Sequence, residues 1–228
     1  TAGFDLRPVG LTEEEQEGFY LGFSNEVIWP LFHDLGSVCR FVPAYWDAYL
    51  SANGRYAEQV AAVSGPRDLV WVHDYHLMNL RQEMLVRGCH ARAAFFLHIP
   101  FPAPDMFLKL PWRRPLLEAL LAYDLVGFQT PRDRRNFVDC VNQLLPDAVV
   151  KGRGQPLVVI ARGGHETRVG RFPIGIDYND FVRRSLAPEV TAQVERLRAE
   201  LPGRQLLIGV DCRPSRWHSS SGPSCASG

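Results

Sequence analysis

From residue 68 onward, short apolar runs ending on chemistry-bearing residues alternate with helical stretches, a rhythm few folds accommodate. Residues 68–73 (DLVWVH), 93–99 (AAFFLHI) and 124–130 (DLVGFQT) are near-continuously apolar, as strands covered on both faces are. Between them the spacing predicts helices over about 78–87, stopped by Gly88, and over 115–123 with Leu116, Leu117, Leu120 and Leu121 inward. Pro131 suits the first position of a helix running to about Leu145. Strands near 156–160, 168–172 and 205–210, with a helix over 188–201, continue the pattern. Strand–helix alternation of this kind predicts an α/β fold, a Rossmann-like doubly wound parallel sheet. Such sheets bind ligands at the carboxyl ends of their strands. His73, Asp74, His98 and the Ile174-Gly175-Ile176-Asp177 turn would lie there.

The first third reads as helical. Thr12 before Glu13, Glu14 and Glu15 outlines a capping box. After Pro43, a stripe of Trp46, Tyr49, Asn53, Tyr56, Val60 and Val63 recurs at helical spacing and is expected to be core packing. Residues 1–66 therefore read as a helical part and 67–211 as a Rossmann-like core of the same domain. Residues 212–228 (CRPSRWHSSSGPSCASG) have no periodicity and are expected to be disordered.

Composition narrows the partners. Lys+Arg and Asp+Glu each number 25, so a formal net charge of zero gives no case for nucleic acid or an anionic membrane surface. No apolar run approaches the roughly 18 residues of a membrane span. The start, Thr1-Ala2-Gly3-Phe4-Asp5, has no basic region leading into an apolar one. It lacks an initiator Met, as a chain beginning mid-protein would. Five scattered cysteines (Cys39, Cys89, Cys140, Cys212, Cys225) suggest a reducing, cytoplasmic setting and mostly small core residues. No G-x-G-x-x-G, phosphate-binding P-loop, G-x-S-x-G elbow or second glycosidase acid is present.

His73-Asp74-Tyr75-His76 puts four polar groups at one strand end, a natural site for sugar hydroxyls. The same histidines could satisfy buried backbone groups. A metal reading lacks a carboxylate or Cys ligand set at helical spacing, so no metal is expected. His98 ends its strand just before Pro100-Phe101-Pro102, which stiffens the turn; it reads equally as ligand group or core residue. Trp29, beside Pro30 within residues 24–33, suits either sugar stacking or core.

Together and in order, SNEVIWPLFHDL (24–35), YWDAYLSAN (45–53), DLVWVHDYHL (68–77), FFLHIPFPAPDMFLKLP (95–111), LLEALLAYDLVGFQT (116–130) and FPIGID (172–177) resemble the trehalose-6-phosphate synthase family over roughly residues 11–211. The resemblance implies the acceptor-side, N-terminal half of a GT-B glycosyltransferase, here incomplete. It implies transfer of glucose from UDP-glucose to glucose 6-phosphate with retention and without cofactor or metal. It admits a homo-oligomer in the full-length enzyme. It assigns Tyr20 and Trp29 to the acceptor pocket and Asp74 to acceptor hydroxyls. His98 falls to the donor glucose, as a catalytic residue with Asp74, while Ile99 with Trp29 selects one anomer of the acceptor. Glucosylglycerol-phosphate synthase, with a smaller phosphorylated acceptor, is the nearest alternative.

The family's pattern continues after Val210-Asp211 as R-L-D-Y-[ST]-K-G, whose Arg and Lys hold the donor diphosphate. Here Cys212 stands where that Arg belongs, followed by Arg213-Pro214-Ser215. The family's opening strand, with its acceptor-phosphate Arg and Gly-rich turn, has no counterpart before Phe4. The expectation is therefore a fragment without transferase activity, or a non-catalytic remnant, with exposed strand edges and poor solubility.

Overall fold

The computed structural model describes residues 3–152, 154, 156–161 and 163–204. These fall into two compact units, divided after Ile174.

The first unit opens on a helical rod. Thr12 caps α1 (Glu13–Gln16) reciprocally: its hydroxyl accepts from the Glu15 N–H at 3.1 Å, and the Glu15 carboxylate accepts from the Thr12 N–H at 2.9 Å. The chain then widens into a π-helical stretch, Glu17–Ile28, and tightens again into α2 (Trp29–Phe32). Twelve residues of this winding are unusual, since π turns mostly occur singly and at functional sites. The rod lies close on α3 (Pro43–Val63). A Cβ at Gly18 would meet that of Ala48 at 2.6 Å, and one at Gly22 the Tyr45 ring at 2.6 Å. Hydrogen bonds from Ser51 and Arg55 to Glu15 tie the same two elements.

The sheet has the order β1-β2-β3-β6-β5-β4. β1 (Leu69–His73), β2 (Arg92–Phe96), β3 (Leu125–Phe128) and β6 (Glu166–Arg171) are parallel neighbours, as expected. β4 (Val149–Lys151) and β5 (Leu157–Ile160) add an antiparallel edge, a departure from a uniformly parallel sheet. The reason is the length of the connections. Residues 152–156 and 161–165 are far shorter than the roughly dozen residues a parallel crossover needs.

The helices between strands are α4 (Leu80–Val86), α5 (Pro104–Phe107), α6 (Arg113–Leu120) and α7 (Pro131–Leu144). Gly88 ends α4 at φ 72°, the left-handed stop that its position predicts. Thr130 caps α7 ahead of Pro131. Leu116, Leu117, Leu120 and Leu121 are buried as the pattern requires. Phe101 packs its ring against Phe107, Phe128 and Phe137 in an aromatic cluster of the core. Cys89 and Cys140 are buried free thiols, and burial pushes that of Cys140 up to about 12.

Coverage on both faces fails at β1. It is an edge strand, and Leu69 and Trp71 stay about two-thirds exposed (65% and 64%) on one face.

The second unit's described part holds α8 (Tyr178–Ser185), capped by Asp177, and α9 (Pro188–Glu200). Arg184 pairs with Asp180 at 2.7 Å within α8. The strand expected at 205–210 and the tail at 212–228 lie outside the described residues. Among those described, no helix is long and apolar enough to cross a membrane.

Candidate functional site

Three parallel strands end side by side and hand their last polar residues to one region. Leu69, Trp71 and His73 of β1 share a face with Ala94, Phe96 and His98 along β2 and its extension, because alternate residues of a strand point the same way. With Leu125, Phe172, Pro173 and Ile174 they line a hollow of about 500 Å³. Phe172 reaches over it because its neighbours are glycines. Gly127 and Gly170 are register partners, and a Cβ on either would stand 3.1 Å or 2.6 Å from the Phe172 ring.

His98 is held at three points. Its backbone N–H donates to the Asp74 carboxylate at 3.3 Å, and its carbonyl accepts from Gln129 Nε2 at 2.7 Å. Its ring Nε2 lies 2.9 Å from Nδ1 of His73. Gln129 carries no weight in the sequence reading, although it follows β3 directly. The strand-end rule that singles out His73 and His98 applies to it equally.

Asp74 follows β1 at φ 66° and ψ 171°, backbone that only glycine adopts without strain. The surroundings hold it there. Its N–H donates to the Phe96 carbonyl at 2.8 Å, and α3 grips the residues that follow. The Tyr49 hydroxyl donates to the Tyr75 carbonyl and accepts from the Met78 N–H, both at 2.9 Å. Asn53 Nδ2 donates to the His76 carbonyl at 3.2 Å. In the stripe of α3, Tyr49 and Asn53 are buried and Trp46, Tyr56 and Val60 half-buried against the core, while Val63 at the helix end is exposed, contrary to expectation. The polar atoms of Tyr49 and Asn53 also fix the turn after β1.

The π-helical rod meets the same turn. Tyr20 stacks on His76 with ring centroids 5.3 Å apart, and the Tyr75 hydroxyl donates to Asn25 Oδ1 at 3.2 Å. Residues five apart share a face in π winding but diverge in an α-helix, so only the wider turn aims both Tyr20 and Asn25 at residues 74–76. His76 is sandwiched between Tyr20 and Tyr75, its Nε2 buried with no hydrogen-bond partner among the described residues. That burial holds its pKa below 6.5, with the Asp74 carboxylate opposing the shift.

Of the residues singled out by sequence, the structure joins His98 to Asp74 directly and sets Tyr20 against the His76 that follows two positions later. Trp29 is 36% exposed on the same rod and stacks on His33 at 4.2 Å, while its carbonyl accepts from the His33 ring. Ile99, next to His98, is half-buried against the core. Among the described residues no group of three or more His, Cys, Asp or Glu side chains is arranged to hold a metal ion.

The sheet and its helices are those of one part of the solved GT-B glycosyltransferases that the chain superposes on. The profile of glycosyltransferase family 20 matches residues 1–213, and the chain belongs to that family. It is 42% identical over 211 residues to a bifunctional trehalose-6-phosphate synthase/phosphatase of Thermoproteus tenax, covering 92% of this chain and 28% of the relative. It is 37% identical to an alpha,alpha-trehalose-phosphate synthase (UDP-forming) of Yarrowia lipolytica, covering 91% and 44%. A solved trehalose-6-phosphate protein from E. coli, bound with UDP-2-fluoro glucose, superposes with TM-score 0.76 at 37% identity, covering 83% and 41%. An alpha,alpha-trehalose-phosphate synthase of Burkholderia xenovorans, in complex with glucose-6-phosphate, gives TM-score 0.78 at 33% identity, covering 83% and 42%. The chain therefore spans less than half the length of these relatives.

Proposed function

We propose that this chain carries the acceptor-side face of a glucosyl transfer from UDP-glucose to glucose 6-phosphate, giving trehalose 6-phosphate with retention at the donor carbon. The observation that carries the reading is His98, fastened by Asp74, Gln129 and His73 where three strand ends meet. The ligands of the related solved proteins, a UDP-glucose analogue in one and glucose-6-phosphate in another, support it.

On this reading Tyr20 and Trp29 line the acceptor pocket, the Asp74 carboxylate accepts from acceptor hydroxyls, and His98 faces the donor glucose. Trp29 and Ile99 admit one anomer of the acceptor. The new bond forms on the face from which the diphosphate leaves. The leaving oxygen takes the proton of the acceptor's anomeric hydroxyl, so no side chain has to act as general base, and same-face attack needs no side-chain nucleophile. Basic groups around the diphosphate carry the developing charge in such a step, and losing one costs on the order of a hundredfold in rate. With Cys212 where the family has Arg, this chain is proposed to bind sugar phosphate without transferring glucose. Both substrates are cytosolic metabolites, which makes the cytoplasm the proposed compartment.

Calorimetric titration of the full chain tests the acceptor. Glucose 6-phosphate should bind, and Asp74→Asn should weaken it at least about tenfold, as expected for a hydrogen bond to a charged group. Tighter binding of glycerol 3-phosphate would move the chain to the alternative acceptor class. UDP release above background from UDP-glucose and glucose 6-phosphate would refute the inactivity.

A further inference from the structure

We propose that His73 is a positioning residue for His98: it occupies Nε2 of that ring and so makes Nδ1 the atom His98 offers to the sugar. The inference rests on the donor-side reading of His98. Its basis is the 2.9 Å contact between His73 Nδ1 and His98 Nε2, in which one ring must donate and the other accept. The arrangement with His98 Nε2–H donating puts both rings in the Nε2-protonated tautomer, the commoner form of a neutral imidazole in water. His98 Nδ1 is then a lone pair, able to accept from a sugar hydroxyl.

Aromatic neighbours flank both rings, with His73 itself on the exposed face of β1. The His73 ring packs on Trp71 at 4.5 Å on one side and faces His98 at 5.2 Å on the other. The His98 ring meets the edge of Phe96 at 4.8 Å. The main chain of His98 is fastened at both its N–H and its carbonyl. With the backbone pinned and Nε2 engaged, the imidazole has one orientation in which to meet a ligand. Ring partners of this kind fix tautomer and direction for histidine ligands generally.

The test is nuclear magnetic resonance on the ¹⁵N-labelled full chain. His73 lies exposed on the open face of β1 and His98 is half-buried, so the ring nitrogens' shifts report the tautomer where proton exchange does not. His98 Nε2 should be protonated and Nδ1 unprotonated, with a nitrogen–nitrogen coupling joining His73 Nδ1 to His98 Nε2. In His73→Phe the coupling should vanish and the His98 nitrogens should average between tautomers. His73→Asn, whose amide can reach the position of Nδ1, should restore the single tautomer. Absence of the coupling in the unmodified chain, or His98 ring resonances unmoved by His73→Phe, would overturn the proposal. Glucose, which needs no diphosphate site, then serves as a separate probe. His73→Phe should weaken it about three- to tenfold, the worth of one hydrogen bond, and equal affinity of the two chains would overturn the positioning role. Failure of glucose to shift the His98 ring nitrogens even in the unmodified chain would overturn the sugar-facing assignment instead, leaving the coupling to decide the contact.

Discussion

Replacing Asp74 separates what its backbone costs from what its carboxylate does. At φ 66° and ψ 171° the residue sits in a glycine region, at a cost on the order of 1–3 kcal/mol. Alanine would keep that strain and lose the 3.3 Å bond from the His98 N–H, a loss of about 1 kcal/mol. Glycine would lose the same bond but shed the strain, while its freer unfolded chain takes back roughly 0.4–1 kcal/mol. Taking about 2 kcal/mol for strain and about 0.7 for chain freedom, Asp74→Gly should exceed Asp74→Ala by about 1.3 kcal/mol. For a chain of this size that corresponds to about 4 °C in melting temperature. Urea unfolding followed by tryptophan fluorescence measures the difference, with equal denaturant slopes as the control. Both variants should lose glucose 6-phosphate. An alanine variant as stable as the glycine one, or more so, would refute the claim that the surroundings hold Asp74 in strained backbone.

Thr12→Ala should cost about 1 kcal/mol of unfolding free energy by removing one arm of the capping box, measurable in the same denaturation assay. Glu15, held at about 2 chiefly by the Thr12 backbone hydrogen bond, contributes stability that is present above its ordinary 4.5 and is lost as pH falls through 2. Glu15→Gln should flatten the acid limb of the stability curve over that window. His76 has the opposite chemistry: its folded pKa lies below 6.5, so under pH 6.5 the unfolded chain takes up a proton that the folded one resists. Stability should fall as pH drops below 6.5, and His76→Phe should remove that slope; an unchanged slope would show that another group carries it. Gly170→Ala should drive the Phe172 ring off its glycine floor at roughly 1–3 kcal/mol, visible as loss of ring-current shifts around Gly127.

Much of the sheet is legible because strand runs such as AAFFLHI bury nearly every side chain, and the helix over 113–120 because its leucines repeat every three or four residues. The antiparallel edge is not, since Val149–Lys151 is too short to stand out from a loop and direction depends on connection length. Nor is the π winding of Glu17–Ile28. Its apolar residues are spaced closely enough to pass for an ordinary α-helix, so the shared facing of Tyr20 and Asn25 cannot be read from an α-helical wheel. His98 and Asp74 are visible as strand-end polar groups and in the family's strings. Gln129 obeys the same rule but, as an uncharged amide, attracts no chemical suspicion. The positive φ of Asp74 leaves no trace in sequence at all, since an aspartate gives no glycine signal.

Two departures from local preference fall within three residues of one turn, while others lie apart from it. Asp34 also has positive φ, and Ser24 and Arg134 also bury a side-chain atom without a partner among the described residues. Asp74 pays backbone strain, and two residues on His76 buries an unpartnered nitrogen. Each disfavours the folded state, and neither would persist in a turn free to relax. The turn is not free. Tyr49 and Asn53 from α3, Asn25 from the π-helical stretch and the Phe96 carbonyl from β2 hold it from three directions. Support of this density around an unfavourable conformation is what a preorganised binding surface requires, because a ligand then meets polar groups already aimed. The capping box at Thr12, by contrast, agrees with every local rule, starting a helix while its Glu15 also ties that helix to α3.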